Sequence, residues 1–342
     1  MSRPTMRAWQ YDSVAGGLEK NLKITDTAAQ PTIGDDGILV EVHAMALNPV
    51  DYKVTENGKF LTAFMKCIPG ADFCGKVAKV GKVVDSFQIG EWVFGAKVGA
   101  ISNGTLGQYV SVSQDSLTSL PSGVEVDDAA TVGIVGLTEI QAIKPNVKPG
   151  DKVFINGGSG GTGVYGIQIA KALGCHVTTT CSTGNIKLCE SLGADEVIDY
   201  KTSNILETLA AKGPIFQLAV DNVGSPANLY KQSASYLTPT GKFVQVGATP
   251  NLGSLAQITS NFLVPGFLGG GKRSYQLMMT KASADDLKQL GAWMKEGKVK
   301  AVLDEIFDWE DAPAAFEKLK TGRSKGKIVV HVRQDSGKGN PY

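Results

Sequence analysis

No run of apolar residues reaches the roughly 18 that a membrane-spanning helix needs, and the start, Met1-Ser2-Arg3-Pro4-Thr5-Met6-Arg7, lacks the apolar core of a secretory leader. Cysteine is sparse: Cys67, Cys74, Cys175, Cys181 and Cys189 are odd in number and widely spaced. That pattern argues against both a disulfide framework and a C-x-x-C zinc knuckle, so the thiols are expected to be reduced and mostly buried. Net charge is almost absent, since 34 Lys and Arg face 33 Asp and Glu. A polybasic nucleic-acid binder, an acidic tail and a disordered chain are thereby excluded as first readings. The expectation is a soluble, cytoplasmic protein with no membrane and no nucleic-acid partner.

What is abundant is glycine, 41 of 342 residues, or about 12% against an average of about 7%. At roughly 150 residues per domain the length predicts two domains. Up to about residue 128 the chain shows short alternating runs broken by glycine, at 6–11, 38–44, 76–80, 92–94 and 108–112. These read as strands of a mostly antiparallel, β-rich unit. A helix is predicted to begin at Asp127, where two acids precede small residues.

After Lys148-Pro149-Gly150-Asp151 the rhythm changes. Apolar strand candidates at 152–156, 176–181, 196–199, 217–221, 242–246 and 275–279 alternate with helix candidates at 161–173, 185–192, 203–211 and 227–236. Such alternation predicts an α/β fold with a doubly wound parallel sheet covered on both faces. The tail adds a helix at 285–295, a strand at 299–307, a helix at 311–319 and a strand at 327–332. The predicted division is 131–281 for the dinucleotide-binding domain, with 1–130 and 282–342 forming the other.

The first strand of the second domain runs into Gly157-Gly158-Ser159-Gly160-Gly161-Thr162-Gly163 and then into an apolar helix. Gly158, Gly160 and Gly163 satisfy G-x-G-x-x-G in the strand-to-helix setting that the motif requires. Gly158 is expected to make the tight turn, Gly160 to let pyrophosphate approach the backbone, and Gly163 to pack helix on strand. Ser159, Gly161 and Thr162 complete the cradle, whose free N–H groups at the helix start suit phosphate. The alternative is a tight turn with no ligand.

NAD-binding versions place an acid about 20 residues on, at the end of the next strand, to hold the ribose hydroxyl. Here that strand ends Thr179-Thr180-Cys181-Ser182-Thr183-Gly184-Asn185, and the first acid after Gly163 is Glu190. Ser182, Thr183 and Asn185 can donate to a 2'-phosphate, Lys187 adds positive charge, and Tyr200 ends the third strand. NADPH is therefore expected over NADH. Asn222 and Gly247, each following a strand, are further cofactor candidates by position, with a turn asparagine and a loop-shaping glycine as alternatives.

Several landmarks now combine: Ala46-Leu47-Asn48-Pro49-Val50-Asp51-Tyr52-Lys53, Pro69-Gly70-Ala71-Asp72-Phe73-Cys74-Gly75, Gly90-Glu91-Trp92-Val93, Gly136-Leu137-Thr138, the glycine loop, and Leu192-Gly193-Ala194-Asp195. Together they resemble the medium-chain dehydrogenase/reductase superfamily, in its zinc-independent quinone oxidoreductase and enoyl reductase branch. The resemblance implies a GroES-like catalytic domain beside the Rossmann domain, and a homodimer. Where zinc enzymes of that superfamily carry Cys, His and Cys, this chain has Asn48, Ala71 and a residue near Ile134, so no metal is expected.

Without a Lewis acid, alcohol oxidation loses its usual activation, whereas an already electrophilic double bond needs only hydride and a donor for the developing oxyanion. The implied activity is hydride transfer from NADPH to a small electrophile, a quinone or an α,β-unsaturated carbonyl compound. By the same resemblance Asn48, Asp51 and Tyr52 lie in the loop bordering the nicotinamide, with Tyr52 or Lys53 as proton donor and Asp51 alternatively a buried turn-forming acid, and Thr138 approaches the carboxamide. Two alternatives stand beside this reading. One is a trans-acting enoyl reductase of a polyketide pathway, for which the glycine-rich stretch 264–273 is either a pocket wall or a surface loop. The other is a non-catalytic NADPH-binding structural or RNA-associated protein, which the near-neutral charge does not favour.

Overall fold

A computed structural model describes residues 4–57, 67–99, 103–246, 259–261, 263 and 270–333; Gly247 and residues 264–269 lie outside these. The chain divides into two compact units, one of residues 1–137 with 281–342 and the other Thr138–Thr280. In chain order the first unit begins with β1 (Thr5–Gln10), β2 (Lys23–Ala29), β3 (Gly37–Ala46), α1 (Pro49–Asn57), β4 (Asp72–Val80), β5 (Trp92–Ala96), β6 (Tyr109–Ser113), β7 (Leu117–Ser119), α2 (Val126–Ala130) and the start of α3 (Gly133–Ile143).

The second unit holds the rest of α3, then β8 (Lys152–Asn156), α4 (Gly163–Ala172), β9 (His176–Cys181), α5 (Ile186–Ser191), β10 (Glu196–Asp199), α6 (Ile205–Lys212), β11 (Phe216–Asp221), β12 (Leu237–Gln245) and β13 (Ser274–Leu277). The chain then returns to the first unit with α7 (Ala284–Lys295), β14 (Leu303–Phe307), α8 (Ala312–Lys320) and β15 (Lys327–His331).

In the first unit β14, β15, β3, β4, β5 and β7 lie in that order in a seven-stranded sheet, with β6 also on β3. All pairs there are antiparallel except β14 with β15. β1 and β2 form a separate antiparallel pair. The core holds Ile38, Val40 and Val42 of β3 with Phe73 and Phe316; β3 itself is buried along its whole length except at Glu41, so both of its faces are covered.

In the second unit the order is β10-β9-β8-β11-β12-β13, all parallel. Phe154, Phe216 and Tyr236 pack there with ring centroids 6.0–6.5 Å apart. All five cysteines are buried and unbridged.

Four expectations about local structure need correction. The segment from Pro49 is a helix, not a loop: Pro49 suits a first turn, where its missing N–H costs nothing, and Asp51 accepts the Asn48 N–H at 2.7 Å. The helix predicted from Asp127 stops after Ala130 and restarts at Gly133. The restart is capped from outside, since Asp72 of β4 accepts the Ile134 N–H at 2.6 Å, and a Cβ on Gly133 would lie 2.5 Å from the same carboxylate. Residues 227–236 form turns and a short 3-10 segment rather than an α-helix, with the Ser235 hydroxyl donating to the Gln232 carbonyl, a local bond that competes with helix. The strand expected from residue 299 begins only at Leu303.

One contact makes stability in the first unit depend on pH. Nε2 of His331, on β15, lies 2.9 and 3.0 Å from the two carboxylate oxygens of Asp127 on α2, and this bond raises the imidazole above its ordinary value. A raised histidine contributes its full stability below the unfolded value of about 6.5, and the contribution fades as pH rises through the folded value. Asp127→Asn is expected to destabilise the protein most below that point. Its difference from wild type in urea unfolding should shrink on going to about pH 8.5, and a difference that does not change with pH would refute the assignment.

Candidate cofactor and active site

The glycine loop is set by the strands beneath it. Asn156, the last residue of β8, donates to Asp221 Oδ1 of β11 at 2.8 Å and to the Ser225 carbonyl at 2.7 Å, and accepts from Thr180 Oγ1 of β9 at 2.7 Å. Thr180 also accepts the Gly157 N–H at 2.8 Å. The tight turn falls on Gly157, with φ of 88°, and not on Gly158 as the motif suggested.

Gly158 and Gly163 have packing reasons to lack a side chain. A Cβ on Gly158 would meet Thr179 Oγ1 at 2.2 Å, and one on Gly163 would meet the Gly157 carbonyl at 2.1 Å. Gly160 has no such reason, because its nearest neighbour would be at an ordinary 3.6 Å and it is not among the glycines of positive φ. The N–H groups of Ser159, Gly161, Thr162 and Gly163 have no partner among the described residues, and the Thr162 side chain does not cap α4. Four donors thus point from a helix start across a bare backbone, the arrangement that accepts phosphate.

At the end of β9 the structure brings three predicted residues together: Asn185 Nδ2 donates to Ser159 Oγ at 3.1 Å and to Ser182 Oγ at 3.3 Å. Thr183 is drawn elsewhere, since its hydroxyl donates to Asp199 Oδ2 at 2.6 Å. The sequence found no acid at the end of the second strand, but the third strand brings one beside it. Lys187 is exposed on α5, and Tyr200 is exposed under the Lys201 ammonium, 5.6 Å from the ring centroid.

On the other side of β8, Asp221 accepts the Val223 and Gly224 N–H groups at 3.0 and 2.9 Å and so shapes the loop carrying Asn222. Thr138 Oγ1 lies 2.7 Å from Thr280 Oγ1, joining the two ends of this unit. Asn156, Thr180, Asp221 and Glu139 were missed as functional positions. The signal for the first three is polarity at the last residues of parallel strands, and for Glu139 a lone acid within Gly133-Ile134-Val135-Gly136-Leu137-Thr138-Glu139-Ile140.

In the first unit Asn48 is buried in a polar network. Its Nδ2 donates to Asp72 Oδ2 at 2.8 Å, and its Oδ1 accepts from Lys327 Nζ at 2.5 Å. Lys327 also donates to Asp72 Oδ2 at 3.1 Å and to the Leu47 carbonyl at 3.0 Å. Lys327 is 2% exposed and Asp72 not at all. Burial pushes Asp72 upward, against the pull of Lys327, Asn48 and the Ile134 N–H; burial brings Asp51 to about 7. The second Nδ2 proton goes to the Ala46 carbonyl at 3.4 Å, so both ends of the Asn48 amide are committed and it has no free donor for a substrate. Tyr52 and Lys53 follow on α1, and neither terminal polar atom has a partner among the described residues. Burial raises the Tyr52 phenol and lowers the Lys53 ammonium. The Lys320 ammonium lies 5.3 Å from the Tyr52 ring centroid and pairs with Glu19 and Glu56.

Comparison with known proteins decides the family. Residues 34–122 match the alcohol dehydrogenase GroES-like domain, and residues 192–330 match the family described as zinc-binding dehydrogenase. The trans-enoyl reductase pgmF of Aspergillus terreus is 44% identical, with 96% of each chain covered. The chain is a medium-chain dehydrogenase/reductase. A chloroplastic quinone oxidoreductase of Triphysaria versicolor is 31% identical over 96% of this chain and 99% of its own. The quinone oxidoreductase structure from Coxiella burnetii superposes with a TM-score of 0.82 at 30% identity, over 96% of this chain and all of that one.

As a medium-chain dehydrogenase/reductase the protein is an oxidoreductase that uses a nicotinamide cofactor, and the bare backbone at Gly160 fits a dinucleotide. The positions compared with zinc ligands do not fit a metal: Asn48 is bonded to an ammonium, and Ala71 offers no donor atom. Among the described residues no group of three or more His, Cys, Asp or Glu could hold a metal ion, and no helix is long and apolar enough to cross a membrane.

Gly160→Ala should leave stability within about 0.5 kcal/mol of wild type yet weaken dinucleotide binding at least about tenfold, whereas Gly163→Ala should cost about 2–4 kcal/mol. Thermal unfolding and fluorescence titration read the two effects. Equal thermal damage from both substitutions would remove the argument that Gly160 is kept bare for a ligand. Lys327→Met strands Asp72 among buried groups and should cost about 3–5 kcal/mol, measured by denaturant unfolding; a loss below about 1 kcal/mol would remove the buried ion pair from the account.

Proposed function

We infer that the protein transfers hydride from NADPH to a carbon of a quinone or α,β-unsaturated carbonyl compound without a metal ion. The observation that carries this reading is the Asn48–Asp72–Lys327 network. It puts a buried ammonium where a metal-dependent alcohol dehydrogenase would need cation ligands, so substrates that need a Lewis acid are disfavoured. The preference for NADPH rests on Ser159, Ser182 and Asn185, which offer hydroxyl and amide donors together, with Lys187 and Lys201 near that strand end as sources of positive charge. Thr183 leaves the set because its hydroxyl already donates to Asp199.

When bound, the nicotinamide supplies the hydride. The chain's own task is to hold a proton for the oxygen on which charge gathers. Tyr52 and Lys53 are the two groups on α1 with an uncommitted proton. Burial keeps the phenol protonated and makes the ammonium a stronger acid. Asn48, Asp51 and Asp72 position α1 from below through the bonds at its first turn. Thr138, at the start of the second unit, is assigned to the nicotinamide carboxamide.

The 44% identical relative named as a trans-enoyl reductase favours a second reading, in which the double bond arrives on a carrier-bound acyl chain. NADPH consumption with quinones, free enones, aldehydes and carrier-bound enoyl substrates separates the readings. Turnover of quinones or free enones is expected, and turnover confined to carrier-bound substrates would establish the second. Reduction of aldehydes alone, or no turnover with any acceptor, would overturn both. Tyr52→Phe is expected to lower kcat about 100-fold with little change in KM if the phenol is the donor. An unchanged kcat in that variant, with the loss appearing instead in Lys53→Met, transfers the role to the ammonium.

A further inference from the structure

Glu139 is an anomaly in the second unit. It lies on α3 with no exposure at all, and among the described residues neither carboxyl oxygen has a partner at full hydrogen-bond distance. Its place is cut into the neighbouring helix: a Cβ on Gly166 of α4 would come 2.6 Å from Glu139 Oε2 and 2.9 Å from its Cδ. A glycine inside a helix costs about 1 kcal/mol relative to alanine, so α4 gives up stability to admit a carboxyl group. Beside it stands the Asn222 amide, close enough to pull on the carboxyl, whose nitrogen and oxygen are buried and among the described residues likewise lack a partner at full hydrogen-bond distance. Buried polar groups left without full hydrogen bonds cost about 1–3 kcal/mol each, and here the carboxyl and the amide have only a loose contact with one another.

Their location is the second half of the argument. Asn222 follows β11 directly, its N–H donating to the Asn156 carbonyl at 3.2 Å. A Cβ on Gly157 would sit 3.8 Å from Asn222 Cβ. Strand order reverses between β8 and β11, and a dinucleotide lies across that reversal, outside the carboxyl ends of the strands. Ser159, Ser182 and Asn185 mark the β9 half for the adenosine ribose, and α4 begins between the halves. The β11 half, with Asn222 and Glu139, is left for the nicotinamide.

We propose that Glu139 is a positioning residue that senses the charge of the nicotinamide: its carboxyl, lodged in the Gly166 notch against Asn222, stays protonated beside the neutral reduced ring and gives up its proton to solvent when the cationic oxidised ring binds. This rests on the reading above that the protein binds NADPH.

The surroundings suit such a group. Burial pushes Glu139 up to about 8, and among the described residues only the Asn222 amide acts appreciably against that. From α4 it meets backbone in the first turn, the end of a helix that favours an anion. Asp221, the other buried acid at this strand end, is occupied by Asn156, Val223 and Gly224.

The test compares dissociation constants of NADP+ and NADPH between about pH 6.5 and 9.5, a range spanning the Glu139 titration. The 2'-phosphate is common to both forms, so its own titration cancels in the ratio. In wild type the ratio of the NADP+ constant to the NADPH constant should fall about tenfold as pH rises, because a carboxylate attracts only the cationic ring. Glu139→Gln should flatten the ratio. The pair Glu139→Ala with Gly166→Ala, which refills the notch without a carboxyl, should flatten it equally. If both variants follow the wild-type pH dependence, or wild type shows none, the inference about Glu139 is overturned and the cofactor reading stands. If neither NADP+ nor NADPH binds wild type at any pH, the proposed function falls, and this inference with it.

Discussion

The amide of Asn156 holds the ends of three adjacent parallel strands at one height. It is buried, bonded to Thr180 on one side and Asp221 on the other, and its burial makes each of those bonds expensive to lose. Because Thr180 is fixed by Asn156, its hydroxyl can also hold the Gly157 N–H, and the chain must leave β8 through a residue of positive φ. That forced turn brings the Gly157 carbonyl against the start of α4, closely enough that Gly163 cannot carry a Cβ. The orientation of the unpaired N–H groups therefore follows from an interaction within the sheet. The loop binds nothing by composition alone; its glycines matter because the strand ends beneath them are tied to one another.

The first unit solves a different problem with the same kind of part. Asp72 and Lys327 are 255 positions apart in sequence and meet fully buried. A buried ion pair is a poor source of net stability, because desolvating both charges costs about what their attraction returns. Its value here lies in how many elements it fixes at once. Asp72 caps α3, bonds Asn48 just ahead of α1, and meets Lys327 on β15. Leu47 and Asn48 receive the other two ammonium protons. Tyr52 and Lys53 are thus carried by a helix whose first turn is anchored to two strands.

The sequence revealed the parallel sheet well because each of its strands is an apolar run between turn signals, a pattern set by local chemistry and by burial on both faces. The glycine loop was legible for the same reason, although the residue making the turn was off by one, since the motif gives spacing and not φ. β2 escaped notice because it is mostly exposed, and its Lys-Ile-Thr-Asp-Thr-Ala-Ala pattern has no apolar face to betray it. α1 reads as a loop on the family resemblance alone, and the bond by which Asp51 and Asn48 close its first turn is not marked by any apolar period. The Asp72–Lys327 pair, the bond from Thr183 to Asp199, and the notch at Gly166 were beyond reach. Each depends on which distant segments the fold brings together, and no local periodicity encodes that.

The two buried polar clusters differ in one respect that separates scaffold from site. Around Asp72 each ammonium proton has an acceptor and each carboxylate oxygen at least one donor, so the cluster has a single low-energy arrangement and resists change. Around Glu139 the carboxyl and the neighbouring amide have, among the described residues, only a loose contact with one another, and α4 carries a glycine to make the room. A fold under selection for stability alone removes such a defect readily, since an alanine at each of positions 139 and 166 would pack the same space with no polar group to desolvate. Two unfavourable choices that make sense only together, at the strand end where a dinucleotide's second half must lie, are expected where binding rather than folding sets the requirement.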